Sequence, residues 1–102
     1  FHMAVNMKMI QQMQNRLEKI QRELAETIIE GTSGGGVVTA QVTGAREFHG
    51  IKIDPSAVDP DDVEMLEDLI TAAIQDAMTR ASATAEEKMG ALTGGMKIPG
   101  LM

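Results

Sequence analysis

Ile10, Met13, Leu17, Ile20 and Leu24 recur at spacings of three, four, three and four. That rhythm puts them on one side of an α-helix, in the pattern used where two helices lie side by side. The positions between them are Gln, Asn, Arg, Lys and Glu, residues suited to a solvated helix face. The pattern predicts a helix from about Met7 to Glu26, a rod of roughly 30 Å. With 102 residues the chain is the size of one domain with a thin core. A rod of this length outruns such a core, so part of it is expected to project or to meet a second chain.

What fills the core is constrained as well. Phe1 and Phe48 are the only aromatic residues, so volume must come from Leu, Ile, Val, Ala and nine Met. Absence of cysteine excludes disulfides, thiolate chemistry, zinc fingers and iron–sulfur clusters. No apolar run approaches the roughly 18–20 residues of a membrane span, and nothing resembles a secretory signal. The chain reads as a soluble protein of a reducing compartment. Phe1-His2-Met3 has the look of a cloning scar ahead of a natural start at Met3, so 1–3 is set apart from the expected domain, 4–93.

Gly34-Gly35-Gly36 signals a turn, after which Val38, Ala40 and Val42 alternate with Thr39, Gln41 and Thr43 as a half-buried strand. Past Gly44, residues Phe48, Ile51 and Ile53 form a second strand whose phase shift around Gly50 predicts a bulge. Thr27 to Ser33 is a candidate third strand, paired across the triple glycine. The expected sheet is an antiparallel meander of two or three strands, with Phe48 inside it.

Asp54-Pro55 stops the sheet, and Asp59-Pro60-Asp61-Asp62 reads as a helix start with Asp59 as cap and Pro60 in the first turn. This second helix is predicted from Pro60 to about Leu92, with Val63, Leu66, Ile70, Ala73, Ala77 and Ala81 as its seam. Gly94-Gly95 ends it, and 94–102 reads as a mobile tail. The fold class is therefore α+β: long helix, small antiparallel sheet, long helix. The expected core or dimer seam comprises Ile10, Met13, Leu17, Ile20, Leu24, Val38, Val42, Phe48, Ile51, Ile53, Leu66, Leu69, Ile70 and Ala73.

The formal charge of −6 argues against a nucleic-acid partner, but it is unevenly distributed. Residues 54–76 carry eight acidic groups and no base, while residues 7–22 carry four bases and one acid. Lys8, Gln12, Asn15, Lys19 and Arg22 fall on the helix face opposite the apolar seam, with Arg16 at the border. Such a stripe can contact phosphate oxygens by charge and by amide hydrogen bonds. The competing reading is the solvated face of a coiled-coil helix. Arg80, Lys88 and Lys97 form a second, sparser set, diluted by Glu86 and Glu87, which could supply an opposite jaw.

Ile53-Asp54-Pro55, the block Glu64-Met65-Leu66-Glu67-Asp68-Leu69-Ile70, and the ending Met89-Gly90-Ala91-Leu92-Thr93-Gly94-Gly95-Met96-Lys97-Ile98-Pro99-Gly100-Leu101 resemble the YbaB/EbfC family of bacterial nucleoid-associated proteins. The Met- and Gln-rich first helix and the Gly-Gly-Gly-Val-Val strand start agree with it. The resemblance implies an intertwined homodimer whose sheets join into a platform and whose helices project as arms that grip duplex DNA. It also implies a place in the bacterial nucleoid, with roles in chromosome organisation and transcription.

The scarcity of aromatic rings independently favours duplex backbone contact over single-strand or RNA recognition, which relies on base stacking. Gly31-Thr32-Ser33-Gly34-Gly35-Gly36 lacks the Lys-Ser/Thr ending of a phosphate-binding loop and reads as a turn. Asp61, Asp62, Glu64, Glu67 and Asp68 are explained by helix capping and dipole, without a metal. His49 stands alone, and Ser33, Ser56 and Ser82 have no evident base, so neither an enzyme nor a cofactor or small-molecule site is expected. The rival readings are a prefoldin-like holdase that grips clients between helical arms, and an acidic module docking a basic partner.

Overall fold

The computed structural model describes residues 2–92, with side chains from Asn6 onward. The elements are α1 (His2–Glu26), β1 (Ile28–Ser33), β2 (Val38–Thr43), β3 (Phe48–Ile53), a 3-10 turn at Pro55–Ala57 and α2 (Val63–Leu92). This is the α+β order expected from the alternating periodicities. Lys97 and the tail expected over 94–102 lie outside the described residues.

The strands form one antiparallel sheet in the order β1-β2-β3. β1 pairs with β2 from Ile28–Thr43 to Ser33–Val38. Their connection holds Gly34, Gly35 and Gly36 at positive φ, where only glycine avoids strain. Between β2 and β3, Gln41 pairs with Gly50 and Val42 with Phe48, which leaves His49 as the extra residue of a bulge. The β2–β3 turn places Arg46 at φ 66°, a left-handed conformation without a glycine.

α2 lies across β1 and β2. Val38, Ala40 and Val42 cluster with Ala57, Ala73, Ala77 and Ala81, all buried, and Ile29, Ile51, Ile53, Leu66, Leu69, Ile70, Ile74 and Met78 surround them half-buried. The core is built from small side chains because helix and strand nearly touch. A Cβ on Gly31 would land on the Ala77 nitrogen and the Ala73 carbonyl of α2.

Three expectations are corrected. Phe48 is not inside the sheet but 57% exposed, because α2 covers β1 and β2 and leaves the Phe48 end of β3 open. Val63 is likewise exposed and lies outside the core. The second helix begins at Val63, not Pro60. Asp59 accepts hydrogen bonds from the Asp61 amide through its side chain and from the Asp62 amide through its carbonyl, closing a tight turn around Pro60. Asp62 is the cap, its side chain accepting from the Met65 amide at 3.1 Å. Asp-Pro suits the start of a β-turn as well as a helix start, and here the turn wins.

Along α1 burial rises toward the C-terminus. Ile10 and Met13 are 55% and 45% exposed, Leu17 and Ile20 are half-buried, and Leu24 is buried. The anchor is the β2–β3 turn, where a Cβ on Gly44 would meet the backbone and side chain of Leu24. The principal extents are 72 × 25 × 16 Å, with a radius of gyration of 19.0 Å. A compact chain of this length would have roughly 13 Å. α1 and the distal half of α2 therefore form an arm beyond the sheet.

Candidate nucleic-acid interface

Lys8, Gln12, Asn15, Arg16, Lys19 and Arg22 are all exposed on α1. Helical geometry sets the first two, Asn15, Lys19 and Arg22 along one line spanning about 21 Å, turned away from the seam that ends in buried Leu24. Among the described residues none of these six side chains enters an ion pair or side-chain hydrogen bond. Their charges and amide groups are free to meet an external ligand. Glu18 is the one acid between Lys8 and Arg22.

The second set differs. Arg80 Nε lies 3.2 Å from an Asp76 carboxylate oxygen, one helical turn back. Lys88 Nζ lies 3.3 Å from Glu23 Oε2 and joins α2 to α1. Both cations are already matched by a carboxylate, so their fields are smaller than their sequence positions suggest. The arm thus presents one uncompensated basic face, that of α1.

The acidic block sits at the other end. Asp54 caps the 3-10 turn by accepting from the Ser56 amide, and this bond holds its carboxyl below the usual range. Asp76 accepts from the Thr32 backbone N–H at 3.0 Å, which lowers its pKa, with a smaller contribution from Arg80. Residues 54–76 lie beside the sheet or in the half of α2 that packs on it, whereas the basic face runs along the arm. Negative charge is concentrated at one end of the long axis, although Glu86 and Glu87 remain on the arm.

Two exposed cations escaped the sequence reading, Lys52 on β3 and Arg46. Arg46 stands on the turn that anchors the C-terminal end of α1, and helical spacing gives no signal for a loop residue. Its positive φ is visible only in the fold. Among the described residues no helix is long and apolar enough to cross a membrane.

The model of the YbaB/EbfC DNA-binding family matches residues 1–96. A nucleoid-associated protein of Chloroflexus aurantiacus is 56% identical over 91 residues, covering 89% of this chain and 91% of that one. One of Dictyoglomus turgidum is 47% identical over 93 residues, covering 91% and 89%. The crystal structure of an uncharacterized protein from Helicobacter pylori aligns with a TM-score of 0.65 over 87% of this chain and 89% of its own. At 24% identity that match speaks to the fold alone. Sequence agreement along nearly the whole length, on the helix–sheet–helix frame described above, shows that the chain belongs to the YbaB/EbfC DNA-binding family.

Proposed function

We propose that this protein binds duplex DNA through backbone phosphates along the exposed face of α1, as a homodimer whose two arms present the stripe twice. The observation that carries the reading is the unpaired row Lys8, Lys19 and Arg22, with Gln12 and Asn15 between them, on a molecule of net charge −6. Arg16 flanks the row, while Arg80 and Lys88 contribute less because each faces a carboxylate. With few aromatic side chains to stack on bases, contact is with the backbone and tolerant of sequence. Such binding in the nucleoid would organise or compact the chromosome and thereby modulate transcription.

The dimer uses the free side of the sheet. The outer edge of β1 is occupied, since Asp76 takes the Thr32 N–H. Among the described residues the outer edge of β3 pairs with no strand, and an open edge is a template for a second sheet. Joining there would give a continuous platform with an arm from each subunit.

The test is a salt titration of binding to unrelated duplexes beside a mass measurement of the free protein. If about six phosphates are engaged, log affinity falls against log salt with a slope near −5. A monomer mass, or retention insensitive to salt, overturns the reading. Suppressed aggregation of an unfolded client without DNA retention would favour the holdase alternative.

A further inference from the structure

The two helices of the arm are held together differently along their length. Near the sheet, Leu24 packs against the Gly44 turn and Lys88 pairs with Glu23. Toward the tip, the helices line a common apolar groove of about 520 Å³, with Met9, Ile10, Met13 and Leu17 on α1 and Met89 and Leu92 on α2. Three of those six residues are methionines. Met9 is 58% exposed, Met13 45% and Met89 38%. Each thioether is thus open to a small solute while it still belongs to the lining between the helices.

We propose that Met9, Met13 and Met89 are a modification site, oxidised by hydroperoxides to sulfoxides that part α1 from α2 at the tip of the arm. In each step a sulfur lone pair attacks one oxygen of hydrogen peroxide, so an S–O bond forms as the O–O bond breaks. The departing hydroxide takes the proton from the sulfur-bound oxygen and leaves as water. Sulfur loses two electrons and the peroxide gains them. The chain has no cysteine, so no thiol of its own intercepts the oxidant.

The consequence follows from polarity. Oxidation turns a flexible apolar side chain into a polar one and disrupts methionine-rich contacts. Among the described residues, Asn6 and Gln14 are the only polar members of the lining. Water must therefore solvate most of the new oxygens, and it does so by entering between the helices. Met78, by contrast, packs half-buried against the core under α2, out of easy reach. Lys8, Gln12 and Asn15 ride on the same turns of α1 as Met9 and Met13. Parting the helices displaces that part of the basic stripe as well, a consequence that rests on the DNA reading above.

The test treats the full chain with hydrogen peroxide, digests it briefly with trypsin and maps the peptides by mass. Met9, Met13 and Met89 should each gain one oxygen about threefold or more faster than Met78. Trypsin cuts a helix only where it opens, so cleavage after Lys8, Arg16 or Lys19 should then run several-fold faster. Met9→Leu with Met13→Leu and Met89→Leu keeps the apolar volume without the sulfur and should abolish that acceleration. Equal acceleration in this variant overturns the proposal, as does unchanged cleavage of protein carrying all three sulfoxides. Oxidation of Met78 ahead of the three overturns it too. Duplex affinity measured on the same samples should fall several-fold with oxidation. Absence of duplex binding before treatment defeats the DNA reading alone and leaves the cleavage result standing.

Discussion

The Asp76 carboxylate accepts the Thr32 backbone N–H at 3.0 Å and the Arg80 Nε–H at 3.2 Å, both on Oδ2. One side chain on α2 thereby takes an amide on the outer edge of β1. Asp76, like Asp54, is held below its ordinary pKa, first by a backbone N–H. A carboxylate whose pKa is lower in the folded state adds stability above its unfolded value of about 3.9 and loses it as pH falls through the folded value. Thermal unfolding measured from pH 7 to pH 2 should therefore show a falling midpoint below about pH 4. Asp76→Asn, which keeps an acceptor but removes the titration, is expected to flatten that fall and to lower stability at neutral pH. An unchanged acid profile would contradict the assignment.

Gly31→Ala should be among the most damaging single-methyl changes in the chain. The added carbon meets backbone atoms of Ala73 and Ala77, which cannot rotate aside. The helix must lift from β1, at a cost of about 3 kcal/mol or more in urea unfolding. A loss under about 1 kcal/mol would show that α2 can slide freely on the sheet.

Arg46→Gly should do the opposite. A side chain held at φ 66° carries about 1–2 kcal/mol of conformational strain, and glycine's extra unfolded-state freedom offsets roughly half of that. The expected gain is about 0.5–1 kcal/mol by denaturant midpoint. If duplex affinity falls at the same time, the Arg46 cation belongs to the DNA-binding surface.

The two basic sets should separate in a gel-shift series. Lys19→Glu with Arg22→Glu removes two uncompensated cations, so the salt slope should shrink by about two in magnitude and affinity should fall steeply. Lys88→Ala releases an amine already paired with Glu23. Its expected effect on the slope is under half a unit, with a stability cost of about 0–1 kcal/mol for a partly exposed pair. Equal losses from both would mean that the Glu23 pair opens on binding.

Periodicity carried much of this architecture. The 3-4 spacing of Ile10 to Leu24 gave the arm, the alternation of Val38 to Val42 gave the central strand, and the phase slip near Gly50 gave the bulge. What it could not resolve were ambiguities of local chemistry and of tertiary cover. Asp59-Pro60 fits a turn and a helix start equally, and only the fold shows the Asp62 cap. Phe48 has the composition of a core residue, but its burial depends on where α2 lies. The basic stripe was legible because its spacing is helical. The pairing of Lys88 with Glu23 was not, since those residues are 65 positions apart.

The separation of charge along a 72 Å body has a kinetic meaning. An excess of negative groups at the sheet end, with uncompensated positive groups on the arm, makes a permanent dipole, and any polyanion exerts a torque on it before contact. Molecules would then arrive arm-first, with their sheet ends pointing outward. A row of such arrivals repels itself through those outward ends, which limits how densely a filament can be coated and lets ionic strength tune the spacing between neighbours.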